Sequence, residues 1–232
     1  MTPSQYAGRY QDLQVPIVVD DKVVRWESVW LGKYLLITQV KPKTVWDGNH
    51  ANNSAAFDAL LGKLWDHFGR NNDKKATLTA HFKDADGTTE HVEFNTWDDL
   101  WYYARKAIEG KCSPEEATIT LQLADRFGLL KGLDLQGYCD KYLGLDCNGF
   151  VGNYLVHGLR GGDWDAEPPG TDYLANKLIP NIVRQDKPVN TVEELVPANM
   201  YTFAMVNDSG VVVPGGGEPA GHIFITNPGA KW

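Results

Sequence analysis

Cys147 and His222 are the residues of this chain whose types and settings suit covalent chemistry. The stretch Leu145-Asp146-Cys147-Asn148-Gly149-Phe150-Val151-Gly152-Asn153-Tyr154-Leu155 places a cysteine at the start of an amphipathic helix. Asp146 suits the N-cap, because its carboxylate can accept the free N–H groups of a first turn. Phe150, Val151, Tyr154 and Leu155 fall on one face at helical spacing. Gly158 suits the C-cap, with His157 as a capping charge at the negative end of the dipole. In the first turn, the helix dipole and free amides favour thiolate, the nucleophilic form. The same amides can receive a developing oxyanion. A cysteine nucleophile needs a base, and His222, in Gly221-His222-Ile223-Phe224-Ile225, opens a short apolar strand. Such a pair is defined by the roles of its members and not by their order in the chain.

The remaining sequence must position that pair. Its 232 residues, 43% hydrophobic and 22% charged, describe an ordinary globular protein of one large domain or one domain with a sizeable extension. A net charge of −8 argues against nucleic-acid binding through a general basic surface. The three cysteines, 112, 139 and 147, make an odd count and no disulfide scaffold. A Cys139–Cys147 bridge would disable the nucleophile, so both are read as reduced, with Cys112 and Cys139 structural. The N-terminus shows no basic segment followed by an apolar one, and no run approaches a membrane span. The expectation is a soluble chain without a secretory signal, delivered by another route if its target lies outside the cytoplasm.

Residues 1–50 read as β-rich, with Pro16–Val19 and Val23–Trp26 flanking an Asp20-Asp21-Lys22 turn and a further strand from Gly32 to Val40. Asp47 to Asn53 reads as a polar loop, and Ser54 as the cap of a helix ending near Phe68, with Phe57, Leu60, Leu61, Leu64, Trp65 and Phe68 on its apolar face. A hairpin follows. Setting Leu78 opposite Phe94 and Ala80 opposite Val92 requires an odd loop, Ala85-Asp86-Gly87 with Gly87 left-handed. That register places His81 opposite His91 on the polar face. Beyond Glu93 no third metal ligand is evident, and a solvated face is the favoured reading. Thr96 is expected to cap a helix whose aromatics, from Trp97 to Tyr103, read as core rather than as a sugar-stacking surface. Ser113-Pro114-Glu115-Glu116 is a capping-box helix start, running to about Phe127. A glycine-containing loop (Gly132, Gly137, Gly144) leads to Cys147. After a surface loop at 158–170, Thr171 caps a short helix ended by Pro180. A strand from Met200 to Val206 and a Pro214–Pro219 loop precede His222.

Three motifs, in order, resemble the NlpC-type cell-wall peptidases, a bacterial branch of the papain-like cysteine hydrolases to which the CHAP amidases are a sister group. Asp146-Cys147-Asn148-Gly149-Phe150-Val151 is similar to the family's Asp-Cys-Ser-Gly-Phe-Val nucleophile motif, with Asn148 in place of serine. Leu195-Val196-Pro197-Ala198-Asn199-Met200-Tyr201-Thr202-Phe203 resembles its Leu-x-Pro-Gly-Asp-Leu-x-x-Phe strand entry. Gly221-His222-Ile223-Phe224-Ile225 resembles its His-Val-Gly-Ile strand, which bears the base. The resemblance covers residues 113–232 and leaves 1–112 as a mixed β/α N-terminal region of unassigned role. It implies an α+β fold with a papain-like NlpC-type core of helices packed on an antiparallel sheet. It implies amide hydrolysis by Cys147 and His222, with peptidoglycan peptides as substrate and no cofactor or metal. Tyr138 is the best stand-in for the family's substrate- and oxyanion-orienting tyrosine.

The family's third residue, a polar group on the strand after the base, has one obvious downstream candidate in Asn227. Five residues along a strand is roughly 16 Å, and odd spacing sets the two on opposite faces. Asn227 serves only if the strand breaks, as Pro228 permits. A Cys–His dyad, an upstream orienter or a segment beyond Trp232 are the alternatives. The expected setting is a phage lysin or an exported effector toxin, the latter with an immunity protein as partner. The same core also serves as an acyltransferase, a protein-directed cysteine protease or deamidase, or an inactive binding module.

Overall fold

Two capping boxes start helices at Thr2 and Ser113, and only the second is among the expectations above. In this computed structural model, which describes residues 1–33, 49–159, 191–196, 198–204 and 222–229, the Thr2 hydroxyl accepts from Gln5 N at 3.2 Å. The Gln5 side chain accepts from Thr2 N at 2.7 Å. With Pro3 at its first position, helix α1 runs over Pro3–Gln11 where a β-rich start was expected. Tyr6 and Tyr10, one turn apart, bury its inner face.

The described residues fall into two compact units, one of 1–7 and 147 onward and the other of 8–33 and 49–146. In the second unit, β1 (Leu13–Val19) and β2 (Lys22–Val29) pair antiparallel. Their turn is the pair Asp20-Asp21, with φ of 50° and 59°, the left-handed values that a two-residue hairpin of matching twist demands. Helix α2 spans Asn49–Phe68, starting before Ser54 rather than being capped by it; Leu60, Leu64 and Phe68 are fully buried. Strands β3 (Leu78–Lys83) and β4 (Thr89–Phe94) adopt the predicted register, including Leu78 with Phe94 and His81 with His91. Gly87 supplies the expected positive φ, 79°. Helix α3 (Asp98–Ile108) begins after Trp97, without a side-chain cap, so Thr96 does not cap it; Asp98 and Asp99 in the first turn complement the dipole instead.

Helix α4 (Pro114–Arg126) is the centre of this unit, packed by β1, β3, α3 and α5, with every residue from Pro114 to Ala124 buried. Several of its buried polar groups find partners. Glu115 pairs with Arg9 at 2.7 Å, Thr120 donates to Glu116 O at 2.7 Å, and Gln122 accepts from His81 N at 3.1 Å. Ile119, Leu121 and Leu123 are fully buried, each contributing about 1.5–3 kcal/mol by leaving water. Residues expected to be a loop form α5 (Leu135–Tyr142), because Asp134 caps it through Gly137 N at 2.7 Å. Leu135, Tyr138 and Cys139 give it a buried face.

In the first unit, α6 (Cys147–Asn153) continues as a π-helical turn, Tyr154–Leu159. Gly158 therefore lies within the helical run and does not end it. A side chain there would meet Tyr154 at 2.7 Å and Tyr6 at 3.1 Å, so the glycine permits close packing. His157 bonds Asn153 Oδ1 at 3.1 Å rather than serving simply as a terminal charge. Val151, Tyr154 and Leu155 are buried, and Tyr6 packs on Phe150 and Tyr154. The Tyr154 hydroxyl donates to Met1 O at 3.0 Å. Strands β5 (Thr202–Ala204) and β6 (Ile223–Ile225) pair antiparallel, and α6 packs on β6.

The chain is thus α+β, with six helices and three two-stranded antiparallel sheets among the described residues. No helix among them is long and apolar enough to cross a membrane. The expected strand at 34–40, the 160–170 loop, the Thr171 helix, the end of the Met200–Val206 strand and the Pro214–Pro219 loop lie outside the described residues.

Candidate active site

Cys147 is the first residue of α6 and the one cysteine of the three that is not buried. None of the three forms a disulfide. Burial holds the Cys112 thiol well above its ordinary value, and the Glu116 carboxylate adds to the shift while Lys106 opposes it. Burial likewise pushes Cys139 up to about 12, with Asp140 adding. Neither is available as thiolate near neutrality, which leaves Cys147 as the thiol suited to attack.

The segment entering α6 is held in the unit of 8–33 and 49–146. Leu145 N donates to Lys33 O at 2.9 Å, and Asp146 N donates to Gly110 O at 2.9 Å. Gly110 has φ of 77°, a conformation natural to glycine as it ends α3. The Asp146 carboxylate accepts a charge-assisted bond from Lys111 Nζ at 3.1 Å. Lys111 is a residue that sequence reasoning missed. No helical or strand spacing links positions 35 apart, so no local signal existed to find it.

His222 immediately precedes β6, the strand on which α6 packs. The register sets Ala204 against Ile223, Phe203 against Phe224 and Thr202 against Ile225. Side chains alternate between the two faces. Ile223 is buried, whereas His222 and Phe224 are exposed. The His222 and Phe224 rings lie 6.3 Å apart, and Phe224 stacks on Phe203 at 4.8 Å. Among the described residues no hydrogen bond joins Cys147 to His222. Catalytic hydrogen bonds often tighten only when substrate binds.

The strand-entry motif is stapled by one side chain. The Tyr201 hydroxyl accepts from Val196 N at 2.8 Å, and Asn199 N closes onto Val196 O at 2.9 Å. Pro197 and Gly221, members of the second and third motifs, lie outside the described residues.

Two further candidates have structural occupations. Asn227 lies past the end of β6, and its Oδ1 accepts from Ser4 N at 3.3 Å, in the first turn of α1. Among the described residues it makes no bond to His222. Tyr138 is 2% exposed and packed against Tyr142 at 4.7 Å, and burial raises its hydroxyl to about 12. It is a packing residue of α5.

His81 and His91 face each other with ring centroids 6.1 Å apart. Burial, then His91 and Arg126, lower the His81 pKa. Among the described residues no three His, Cys, Asp or Glu side chains gather to hold a metal. The aromatics of α3 interlock with those of α2, Phe57 on Trp101 and Trp65 on Trp97. Arg70 lies over Trp65 at 4.4 Å and Arg105 over Trp101 at 5.8 Å. Cations thus occupy ring faces that a sugar would need, which favours the core reading. No family model, curated protein or solved structure matches this chain.

Proposed function

We propose that this chain is a cysteine-dependent amide hydrolase of the NlpC-type papain-like class, acting on peptidoglycan peptides. The observation that carries the reading is that the one accessible thiol begins a helix packed on the strand opened by His222. The resemblance of the three motifs supplies the substrate class. Cys147 thiolate attacks the amide carbonyl and first-turn amides receive the oxyanion. Cleavage of the C–N bond passes the electron pair to nitrogen, and His222 delivers the proton to the departing amine. His222 then takes a proton from water, hydroxide adds to the thioester, and the carboxylic acid leaves as the thiol is restored. Asp146 is a structural and charge-paired neighbour of the nucleophile and has no chemical step. Action at the cell wall as a phage lysin or an effector toxin with an immunity partner belongs to the same proposal.

A second reading is a binding module of the same fold without activity. It is favoured by the exposed face that His222 shares with Phe224 and by the lack of a Cys147–His222 bond among the described residues. Incubation with purified sacculi and mass spectrometry of the released fragments separates the two. The hydrolase releases stem-peptide fragments that Cys147→Ala and His222→Ala do not. Equal release by wild type and Cys147→Ala refutes it, and binding to sacculi without release supports the module.

A further inference from the structure

The hairpin of β3 and β4 carries Thr79, His81 and Lys83 on the polar face of one strand and Thr89, His91 and Glu93 on that of the other. His81 and His91 are directly opposite. His81 N donates away from the partner strand, to Gln122 Oε1 at 3.1 Å, whereas Asp84 N donates across the hairpin to Thr88 O at 3.0 Å. Counting back from that bond makes His81 and His91 a pair without backbone bonds between its members, the kind in which side chains stand closest. Their ring centroids are 6.1 Å apart. His81 Nε2 is buried and has no hydrogen-bond partner among the described residues. A solvated polar face does not account for that atom, because a buried ring nitrogen without a partner costs free energy. His91 beside it is exposed, so the pair is open to solvent on one side.

We propose that His81 and His91 are the two protein ligands of a divalent transition-metal site, of the zinc or copper type, with water completing the coordination. Imidazole nitrogen suits these ions. A metal roughly 2.0–2.1 Å from one nitrogen of each ring holds the ring centres between about 5 Å, at a tetrahedral angle, and roughly 6.4 Å, in line. The observed 6.1 Å falls within this range. The neighbouring cations are engaged elsewhere: Arg126 pairs with Asp21 at 2.6 Å, and Lys83 Nζ lies over the Trp26 ring at 5.3 Å. Glu93, diagonal to His81 on the same face, adds negative charge to the neighbourhood without joining the pair as a third ligand. The site lies wholly within the unit of 8–33 and 49–146 and is independent of Cys147.

The test is a Zn²⁺ titration of the ¹⁵N-labelled full chain by NMR, read on the ring signals of its six histidines. The His81 and His91 signals are assigned by their loss in His81→Gln and His91→Gln. In the wild type both signals move with one midpoint, and Mg²⁺, which prefers oxygen ligands, moves neither. In His81→Gln the His91 midpoint rises about tenfold or more, because a second imidazole on the same hairpin acts at high effective concentration. His91→Gln, at an exposed position, does the same to the His81 signal and decides the matter if His81→Gln does not fold. Separate midpoints in the wild type overturn the proposal, as does a His91 midpoint unmoved by His81→Gln. So does Zn²⁺ that shifts other histidines, such as His222, and leaves this pair unmoved. The titration does not involve hydrolysis, so failure in the sacculus assay and failure of the metal site are told apart.

Discussion

Glu116 is 0% exposed yet carries a carboxyl group, and its replacement by glutamine tests the buried heart of α4. Its Oε2 accepts from Ser113 N at 2.8 Å, and Lys106 Nζ contacts its carboxylate. Burial raises its pKa from 4.5 to about 7, with Lys106 and the Ser113 bond opposing the rise. In the unfolded chain the proton leaves near 4.5, whereas in the folded chain it stays until about 7. Between these values the folded state binds more protons, so stability falls as pH rises through the window. Below it both states hold the proton, and above it the loss is complete. About 1.4 kcal/mol per pH unit gives a loss of roughly 2–3 kcal/mol between pH 5 and pH 8. Glu116→Gln keeps an acceptor for the capping box and removes the titration. It also takes the Glu116 carboxylate away from Lys106, which shifts the whole curve and does not alter its slope. Urea denaturation of both proteins across pH 5–8 reads the difference. The wild type declines relative to Glu116→Gln by roughly 2–3 kcal/mol. Parallel curves would refute the reasoning, because they would place the Glu116 titration at its ordinary value.

Two other outcomes follow from packing. Gly158→Ala ordinarily favours a helix by about 1 kcal/mol, but here the new Cβ would stand 2.7 Å from the buried Tyr154 ring, whose hydroxyl is tied to Met1 O. The clash wins, and the variant loses about 1–3 kcal/mol in thermal denaturation, so a gain in melting temperature contradicts the packing. Cys112 and Cys139 stay unlabelled by iodoacetamide at neutral pH until the protein unfolds, and labelling of either at the rate of an unstructured peptide thiol contradicts their burial. Because burial alone slows these two thiols, activation of Cys147 has to be judged against a small free thiol.

Local chemistry was legible in the sequence, and long-range placement was not. The Ser113 capping box and the odd hairpin loop at Gly87 are written in adjacent residues, and both took the predicted form. The Thr2 box is equally local, in Thr2-Pro3-Ser4-Gln5, but the expectation of a β-rich start passed over it. Helix α5 was hidden by its glycines, although Asp134 and the Leu135, Tyr138, Cys139 spacing signalled it. By contrast, nothing local announces that α4 is enclosed on all sides, since its polar residues find partners as distant in sequence as Arg9 and His81. At the candidate site, Cys147 at a helix start and His222 at a strand start were readable as types in settings. The Asp146–Lys111 pair and the diversion of Asn227 to Ser4 N depend on chain segments meeting across the sequence, which no spacing encodes.

The central claim is that Cys147 forms a covalent acyl intermediate. Rapid acid quenching of the protein with sacculi, followed by mass spectrometry of the Cys147 peptide, tests it most directly. The account predicts a thioester adduct with the mass of a stem-peptide acyl fragment on Cys147, removed by neutral hydroxylamine and absent from Cys147→Ala. Fragment release without any adduct on Cys147, undiminished in Cys147→Ala, would contradict it.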